Sequence, residues 1–393
     1  MEFVFTKKAK RSTFILMAIG VISILSGLFS QDHDHFWSNM LVNSFFFLAI
    51  GLGALFFYAL QYATETGWSA ITKRIFEGIY ASVPVFSGLL VVVLLVGTFG
   101  GHHIYHWMDS HVFDPASEHY DAIIAGKSAY LNKPFFWIRT IAYLATFIIF
   151  ARLFRKKSLL EDQVGGTEIH TFLYKRSALF LVFFAVFSST LSWDWIMSID
   201  THWFSTMFGW YSFSGMWVSA MITAILLVRW LKGKGYLPYI NENHIHDLGK
   251  WMFALSFLWT YLWFSQFMLI WYSDIPEEVT YYVQRIKDFK IPYFTMVMVN
   301  FLLPMIMLMS RNAKRTNSIL LLVGSIIFLG HWMDVYLMVL PGATHHWHLG
   351  FFEIGTFLGF LGLFIYLTLN AFTKASFLPK NHPFLEESKH MHI

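Results

Sequence analysis

The stretch FWSNMLVNSFFFLAIGLGALFFYALQYA, residues 36–63, decides the fold class, because it contains no Asp, Glu, Lys or Arg. An apolar run of about 20 residues is long enough to cross the hydrocarbon core of a bilayer as an α-helix. A long, strongly apolar run without charges is typical of a membrane span. Residues 36–63 therefore predict a transmembrane helix.

The whole chain has the composition of a membrane protein. Of its 393 residues, 56% are hydrophobic, 20% are aromatic and only 13% are charged, against roughly a quarter charged in a soluble domain. It contains no cysteine, which excludes disulfides, thiolate zinc sites and cysteine-ligated iron–sulfur clusters. The basic residues occur in short clusters between apolar runs, so the formal charge of +4 indicates membrane topology rather than nucleic-acid binding.

Apolar runs of spanning length recur along the chain and predict ten transmembrane helices. The first run is longer than the apolar part of a signal peptide and has no small-residue cleavage site after it. We therefore expect it to be a membrane anchor rather than a cleaved signal peptide. The ten runs are approximately 13–29, 36–63, 80–100, 135–153, 172–197, 207–231, 251–271, 292–310, 318–340 and 350–372.

The distribution of basic residues predicts the topology. With the N-terminus inside, most of the 28 Lys and Arg fall on the cytoplasmic side, as the positive-inside rule requires. The outer side receives Lys127, Lys133, Arg139, Arg285, Lys287 and Lys290, and its one dissenting loop is 272–291. We therefore expect both termini in the cytoplasm. The long polar outer loop 101–133 is expected to be functional or covered by a partner.

Ionisable side chains at membrane depth cost about 2.5–3.5 kcal/mol each, so those that persist are candidates for function. The segment SWDWIMSIDTHWFS, residues 192–205, carries Asp194, Asp200 and His202 after a row of Ser and Thr hydroxyls. Such hydroxyls either pass protons to Asp194 or bond back to the carbonyl four residues earlier for packing. Both interpretations stay open.

Further candidates lie in the later spans. His331 and Asp334 are three residues apart and share a helix face. They form either a proton-accepting pair or a buried structural ion pair. Asp274 ends the seventh span and Glu353 begins the tenth, so we expect most titratable groups near the outer side. At the inner side, His246 and Asp247 either admit protons, or Asp247 stabilises the start of a helix.

We expect no metal or haem bound by this chain. A bis-histidine haem needs two histidines at matching depth on facing helices, and only His331 lies well inside a span. His102, His103 and His106 are loosely spaced in a wet loop, which favours contact with a partner over binding zinc or copper. The Phe-rich spans do not by themselves indicate a quinone site.

Several motifs resemble one known family. SWDWIMS at 192–198 and THWFSTMFGWY at 201–211, supported by WFSQF at 263–267, WYSDIPEE at 271–278 and GHWMD at 330–334, are similar to the NrfD-like membrane subunits of bacterial alternative complex III. The likeness is greatest to the second of the two such subunits in that complex. The motif residues that carry over are Asp194, Asp200, His202, Asp274, Glu277, Glu278, His331 and Asp334.

The resemblance implies one all-α polytopic domain in the bacterial inner membrane. It would contain two four-helix bundles, the first formed by 36–155 with 172–198 and the second by 207–340. The first helix, within 1–35, and the last, at 350–373, would flank the bundles. Residues 374–393 would form a cytoplasmic tail. It also implies a quinol:electron-acceptor oxidoreductase, whose multihaem cytochrome c and iron–sulfur subunits carry the haem c and the clusters. A sister NrfD-like subunit would hold the better-supported quinol site, beside small membrane subunits and lipids.

Three functional hypotheses follow. In the first, the chain is a proton-transferring subunit of such a complex, and whether menaquinol or quinone binds in this subunit stays open. In the second, it is a scaffold that docks the haem and iron–sulfur subunits. The third is a secondary transporter with helices broken at Pro84 and Pro304. Charge gathered at the outer end rather than the midplane argues against the transporter.

Overall fold

A computed structural model describes residues 3–29, 32–344 and 346–391, and within them the chain is helical without a strand. Ten of its helices are long and apolar enough to cross a membrane, so the prediction of an all-α, multi-pass membrane protein is confirmed. They are α1 (Lys7–Leu28), α2 (His33–Ala63), α3 (Ala70–Thr98), α4 (Lys133–Val164), α5 (Glu168–Ile199), α6 (Met207–Gly233), α7 (Glu242–Ser273), α8 (Lys290–Met307), α9 (Asn317–Ala343) and α10 (Phe351–Phe372).

Two of the spanning helices are interrupted where proline predicts a break. In α3, the segments Lys73–Tyr80 and Val83–Thr98 are separated just before Pro84. In α8, the π-helical segment Met298–Leu302 immediately precedes the turn containing Pro304. Proline has no N–H to donate and its ring clashes with the preceding turn, so both interruptions have a local cause in the sequence.

The helix α2 lies at the centre of the molecule and α1 at its edge. Helix α2 contacts α3, α5, α6, α9 and α10. In the most apolar 18-residue stretch of each helix, 89% of α2 is buried inside the protein, against 22% of α1. This explains why residues 36–63 carry no charge on any face: every side of the helix meets protein. Helix α1 instead packs mainly on α10 and leaves the rest of its surface for lipid.

Small residues bring α1 and α10 into close contact. A Cβ atom on Gly20 would lie 2.3 Å from the Cα atom of Gly359, so both positions require glycine. One turn away, the Ser23 hydroxyl donates to the Phe352 carbonyl oxygen at 2.7 Å. Close backbone approach through small residues, with a polar bond across the interface, is a common way for helices to associate in lipid.

The first and last described segments meet at one end of the molecule. The ring of Phe3 contacts those of Phe372 and Phe377, with centroids 6.0 and 5.9 Å apart. The tail continues into a short helix, Leu385–Lys389. It packs on the start of α3, where the Ser388 hydroxyl donates to the Trp68 carbonyl oxygen at 2.7 Å.

Short helices lie outside the spanning set. The loop between α3 and α4 contains 3₁₀ turns at His106–Met108 and Ser110–Phe113 and a helix at Ala122–Gly126. A connecting helix, Pro276–Lys287, joins α7 to α8 and contacts α9. This connecting helix brings polar side chains over the end of the α6–α9 group.

Candidate functional site

The carboxylate of Asp334 lies in the protein interior where α6, α7 and α9 meet, with 1% of its side chain exposed. The indole Nε1 of Trp259 donates to its Oδ2 at 2.9 Å. The hydroxyl of Tyr211 donates to its Oδ1. Both hydrogen-bond donors are neutral, so they stabilise the carboxylate without supplying a positive charge.

His331 lies one turn earlier on the same face of α9, as their spacing predicted. Its side chain is 1% exposed, and its Nδ1 is 3.8 Å from Asp334 Oδ2, which is too far for a hydrogen bond. Its ring stands edge-on to the ring of Trp259, with centroids 5.3 Å apart. Across the described part of the chain, neither ring nitrogen finds a hydrogen-bond partner, an arrangement that is costly in a dry interior.

One small cavity is lined by this pair, and a second lies beside Tyr211, the hydrogen-bond partner of Asp334. One, of about 10 Å³, is lined by Ser212, Ser219, His331 and Asp334 together with apolar side chains of α2 and α6. The other, also about 10 Å³, is lined by Tyr211, Gln266 and the connecting helix. A space of about 10–15 Å³ holds one water molecule when polar groups surround it, so each cavity is near the size of one water.

An ion pair lies beyond the second cavity. Arg285 of the connecting helix donates from Nη2 to Asp200 Oδ2 at 3.0 Å and from Nε to the Leu337 carbonyl oxygen at 3.0 Å. Its guanidinium lies 3.3 Å from the centroid of the Tyr281 ring. Because Arg285 and Tyr211 line the same cavity, that cavity separates the surroundings of Asp334 from those of Asp200.

Asp194 has a different environment. Its oxygens accept hydrogen bonds from Arg139 Nε and Nη2, both at 2.8 Å, and from the Tyr143 hydroxyl at 2.9 Å. This bidentate pair is buried between α4 and α5. Within the described ranges, no hydrogen bond or ion pair joins Asp194 to His331 or Asp334. The geometry is that of a fixed ion pair.

The hydroxyls that precede Asp194 bond to their own helix. Ser192 donates to the Ser188 carbonyl oxygen at 2.7 Å, and Thr190 donates to the Val186 carbonyl oxygen at 3.1 Å. Both bonds reach back four residues, which is the packing alternative. These two hydroxyls therefore point along α5 rather than forming a row that leads to the carboxylate.

The other outer candidates occupy separate places. His202 is exposed and its Nε2 lies 2.6 Å from Asp121 Oδ2 in the outer loop. Glu353 is buried in the first turn of α10, where it contacts His35 Nε2 at 2.6 Å and accepts from the Gly350 N–H at 2.6 Å. Asp274 is exposed at the end of α7, with a left-handed φ of 48°.

The two inner candidates lie near the start of α7. His246 and Asp247 are buried, and Asp247 forms an ion pair with Lys250. Asp247 lies beyond the first turn of α7, whose acidic residue is Glu242 and whose cap is Asn241. Neutralisation by Lys250 therefore accounts for Asp247 better than an interaction with the helix N-terminus.

A second buried charged cluster lies at the opposite end of α4 from Arg139 and Asp194, and the expectation of titratable groups near the outer side did not include it. Arg74 and Arg155 both pair with Glu77, while Lys73 pairs with Glu161 at 2.5 Å. Sequence reasoning interpreted the three cations only as topology signals. Glu77 and Glu161 fall just outside the predicted apolar runs, so no sequence signal marked their burial.

Two of the six Lys and Arg residues predicted on the outer side have carboxylate partners in the tertiary structure. Arg139 is held by Asp194, and Arg285 is buried against Asp200 and the Tyr281 ring. Arg285 belongs to the loop that departs from the positive-inside rule. Its charge is paired with the Asp200 carboxylate.

Comparisons with models of known protein families and with curated proteins found no match for this chain.

Proposed function

We propose that this chain is a membrane-integral subunit of a bacterial respiratory quinol:electron-acceptor oxidoreductase of the alternative complex III type, and that it transfers protons near the periplasmic side of the inner membrane. The observation that carries the proposal is the buried His331–Asp334 pair, which lines one water-sized cavity and is linked through Tyr211 to a second. An ionisable pair at membrane depth is a functional candidate because an unused one would be costly.

The surroundings of the pair favour proton exchange. Asp334 accepts from the neutral donors Tyr211 and Trp259, so a proton on His331 or on the carboxylate itself is the nearest means of balancing its charge. An imidazole beside a carboxylate is a common arrangement for taking up and releasing protons. Asp194 lacks this property because Arg139 already balances it.

A route toward the outer surface follows from the cavities. A proton leaving Asp334 would pass the Tyr211 hydroxyl, a water in the cavity beside Gln266, and then the Asp200–Arg285 pair. On the other side of the pair, Ser212 and Ser219 line the cavity toward the centre of the molecule. Quinol oxidised in the membrane would supply the protons.

The proposal includes two four-helix bundles, α2–α5 and α6–α9, with α1 and α10 beside them and both termini in the cytoplasm. The contacts of α2 with α3 and α5, those of α6 with α7 and α9, and the meeting of Phe3 with Phe372 at one end support it. Multihaem cytochrome c and iron–sulfur subunits would cover the outer loops, and a sister NrfD-like subunit with bound menaquinol would lie alongside with small membrane subunits.

The test uses the purified complex carrying D334N or H331Q, with quinol turnover and proton release measured separately. We expect proton release per quinol to fall in both variants while the complex stays assembled. D288N is the matched control, because Asp288 is an exposed carboxylate at the end of the connecting helix and is not among the candidates. Unchanged turnover and proton release in D334N and H331Q would overturn the proposal.

A docking scaffold is the second candidate, favoured by the exposed histidines at the outer end, such as His202 and His348. In that case, substitutions on this surface would release the haem and iron–sulfur subunits, and D334N would have no effect on proton release. Subunit composition after purification of H202A and H348A variants distinguishes the two functions.

A further inference from the structure

Three metal-ligating side chains converge at the end of the molecule opposite Asp194. Glu161 comes from the last turns of α4, His170 from the first turn of α5, and His382 from the tail after α10. Their donor atoms lie within 4.8 Å of one another. The side chains are nearly inaccessible, with exposures of 0%, 6% and 7%, so this is an enclosed cluster rather than a surface group of acids.

Several donor atoms in the cluster lack partners. Glu161 Oε2 accepts from Lys73 Nζ at 2.5 Å and from the Tyr62 hydroxyl at 3.2 Å. By contrast, Glu161 Oε1 and both ring nitrogens of His170 find no hydrogen bond among residues 3–29, 32–344 and 346–391. Buried polar atoms are nearly always satisfied in folded proteins, so these three atoms indicate a missing ligand.

A small cavity lies beside His170. His170 and His382 line a cavity of about 20 Å³ together with Lys73 and Glu65. His170 Nδ1 is 3.8 Å from Glu161 Oε1, and Glu65 Oε1 is 4.0 Å from His170 Nε2. The cavity has room for one ion or one water, and Glu65 adds a second carboxylate that offsets positive charge there.

The donor set matches zinc. Two imidazoles and one carboxylate bind Zn²⁺ at about 2.0–2.2 Å with a fourth position for water, and donors around such an ion lie about 3.4 Å apart. The 3.8 Å separation of His170 Nδ1 and Glu161 Oε1 is close to that spacing. Lys73 occupies only the other oxygen of Glu161, so it does not block the donor that faces His170.

We propose that Glu161, His170 and His382 bind one zinc ion, which fastens the C-terminal tail to the ends of α4 and α5. The ligands come from segments that are distant in sequence, so binding would be coupled to docking of the tail. Helix Leu385–Lys389 follows directly and packs on the start of α3. This site is independent of the proton-transfer proposal and lies at the other end of the molecule.

The experiment uses the full chain purified in detergent, stripped with chelator and then titrated with ZnCl₂. Bound zinc is counted by mass spectrometry, and tail docking is followed by the rate of tryptic cleavage after Lys380. We expect one zinc per chain and slower cleavage when zinc is bound. H382Q should weaken zinc binding by about tenfold or more, since one ligand is lost. H390Q is the matched control, because His390 is exposed in the same tail.

A second variant, H170N, alters the helix ligand and keeps the tail intact. It should also weaken zinc binding, with the helices still folded as judged by thermal melting. The proposal is overturned if the wild-type chain retains no stoichiometric zinc, or if H382Q and H170N bind zinc as tightly as the wild type.

Discussion

Asp194 and Arg139 form a bidentate ion pair, with the guanidinium Nε and Nη2 atoms each 2.8 Å from a carboxylate oxygen. Arg139 lies on α4 and Asp194 on α5. By contrast, within the part of the chain described, Asp334 on α9 accepts hydrogen bonds only from the neutral donors Tyr211 and Trp259. The molecule thus buries one carboxyl group against a guanidinium and another against neutral hydrogen-bond donors.

We predict that D194N destabilises the protein by about 3–5 kcal/mol, because it leaves the Arg139 guanidinium buried without its partner. The double variant R139M/D194L removes both charges and should recover most of that loss. Thermal unfolding in detergent checks both, with D274N as an exposed control that should melt as the wild type. If D194N melted like D274N, the pair would be solvated rather than buried.

Tyr211 and Tyr143 provide a matched comparison, since each hydroxyl donates to a buried carboxylate. Y211F removes a donor from Asp334 and should reduce proton release in the complex, whereas Y143F should leave proton release unchanged. Both lose one hydrogen bond and should cost about 1 kcal/mol of stability, or up to about 3 where a charged group loses its partner. Equal proton release in the two variants would contradict the assignment of Asp334.

The contact of Gly20 with Gly359 predicts that G359L separates α1 from α10, because a side chain at this position has no space. The chain has no native cysteine, so the pair S23C/T356C reports the contact directly. The parent hydroxyl oxygens are 3.2 Å apart, and we expect rapid disulfide formation. Adding G359L should abolish it, and persistence of the cross-link would show that the interface tolerates the side chain.

The loop between α3 and α4 should loosen as the pH falls. Burial lowers the pKa of His102 below its ordinary value of 6.5, and its Nε2 donates to the Val93 carbonyl oxygen at 3.0 Å. The opened loop therefore takes up a proton near pH 6.5 that the docked loop resists. Docking is fully favourable above that pH and weakens below it, by up to about tenfold in equilibrium constant per unit of pKa difference.

Hydrogen exchange of residues 99–109 at pH 7.5 and 5.5, corrected for intrinsic rates, measures this effect. We expect faster exchange at the lower pH. The H102Q variant should show little difference between the two conditions, because its side chain does not titrate. Asp34 and His103 also lie near His102 and act on it in opposite directions, so a pH response that survives in H102Q would assign the effect to them.

Sequence reasoning succeeded where the cause is local. The ten spans follow from the length and apolarity of single segments, and the spacing of His331 and Asp334 is enough to place them on one face of α9. It failed for Glu77 and Glu161, because their burial depends on α3 and α4 continuing past the apolar runs into contact with each other. Nothing in the sequence indicated that His382 in the tail lies beside Glu161 and His170.

The amino-acid sequence by itself determined the number of membrane spans, their proline breaks and the helix face that His331 and Asp334 share. Only the tertiary structure decided which acid is neutralised by a cation, since Arg139 with Asp194 and Arg285 with Asp200 are partners from different helices. The physical reason is that hydrophobicity and helical periodicity act over a few turns of one segment. The charge state and desolvation of a carboxylate depend instead on side chains that meet only when distant helices pack together.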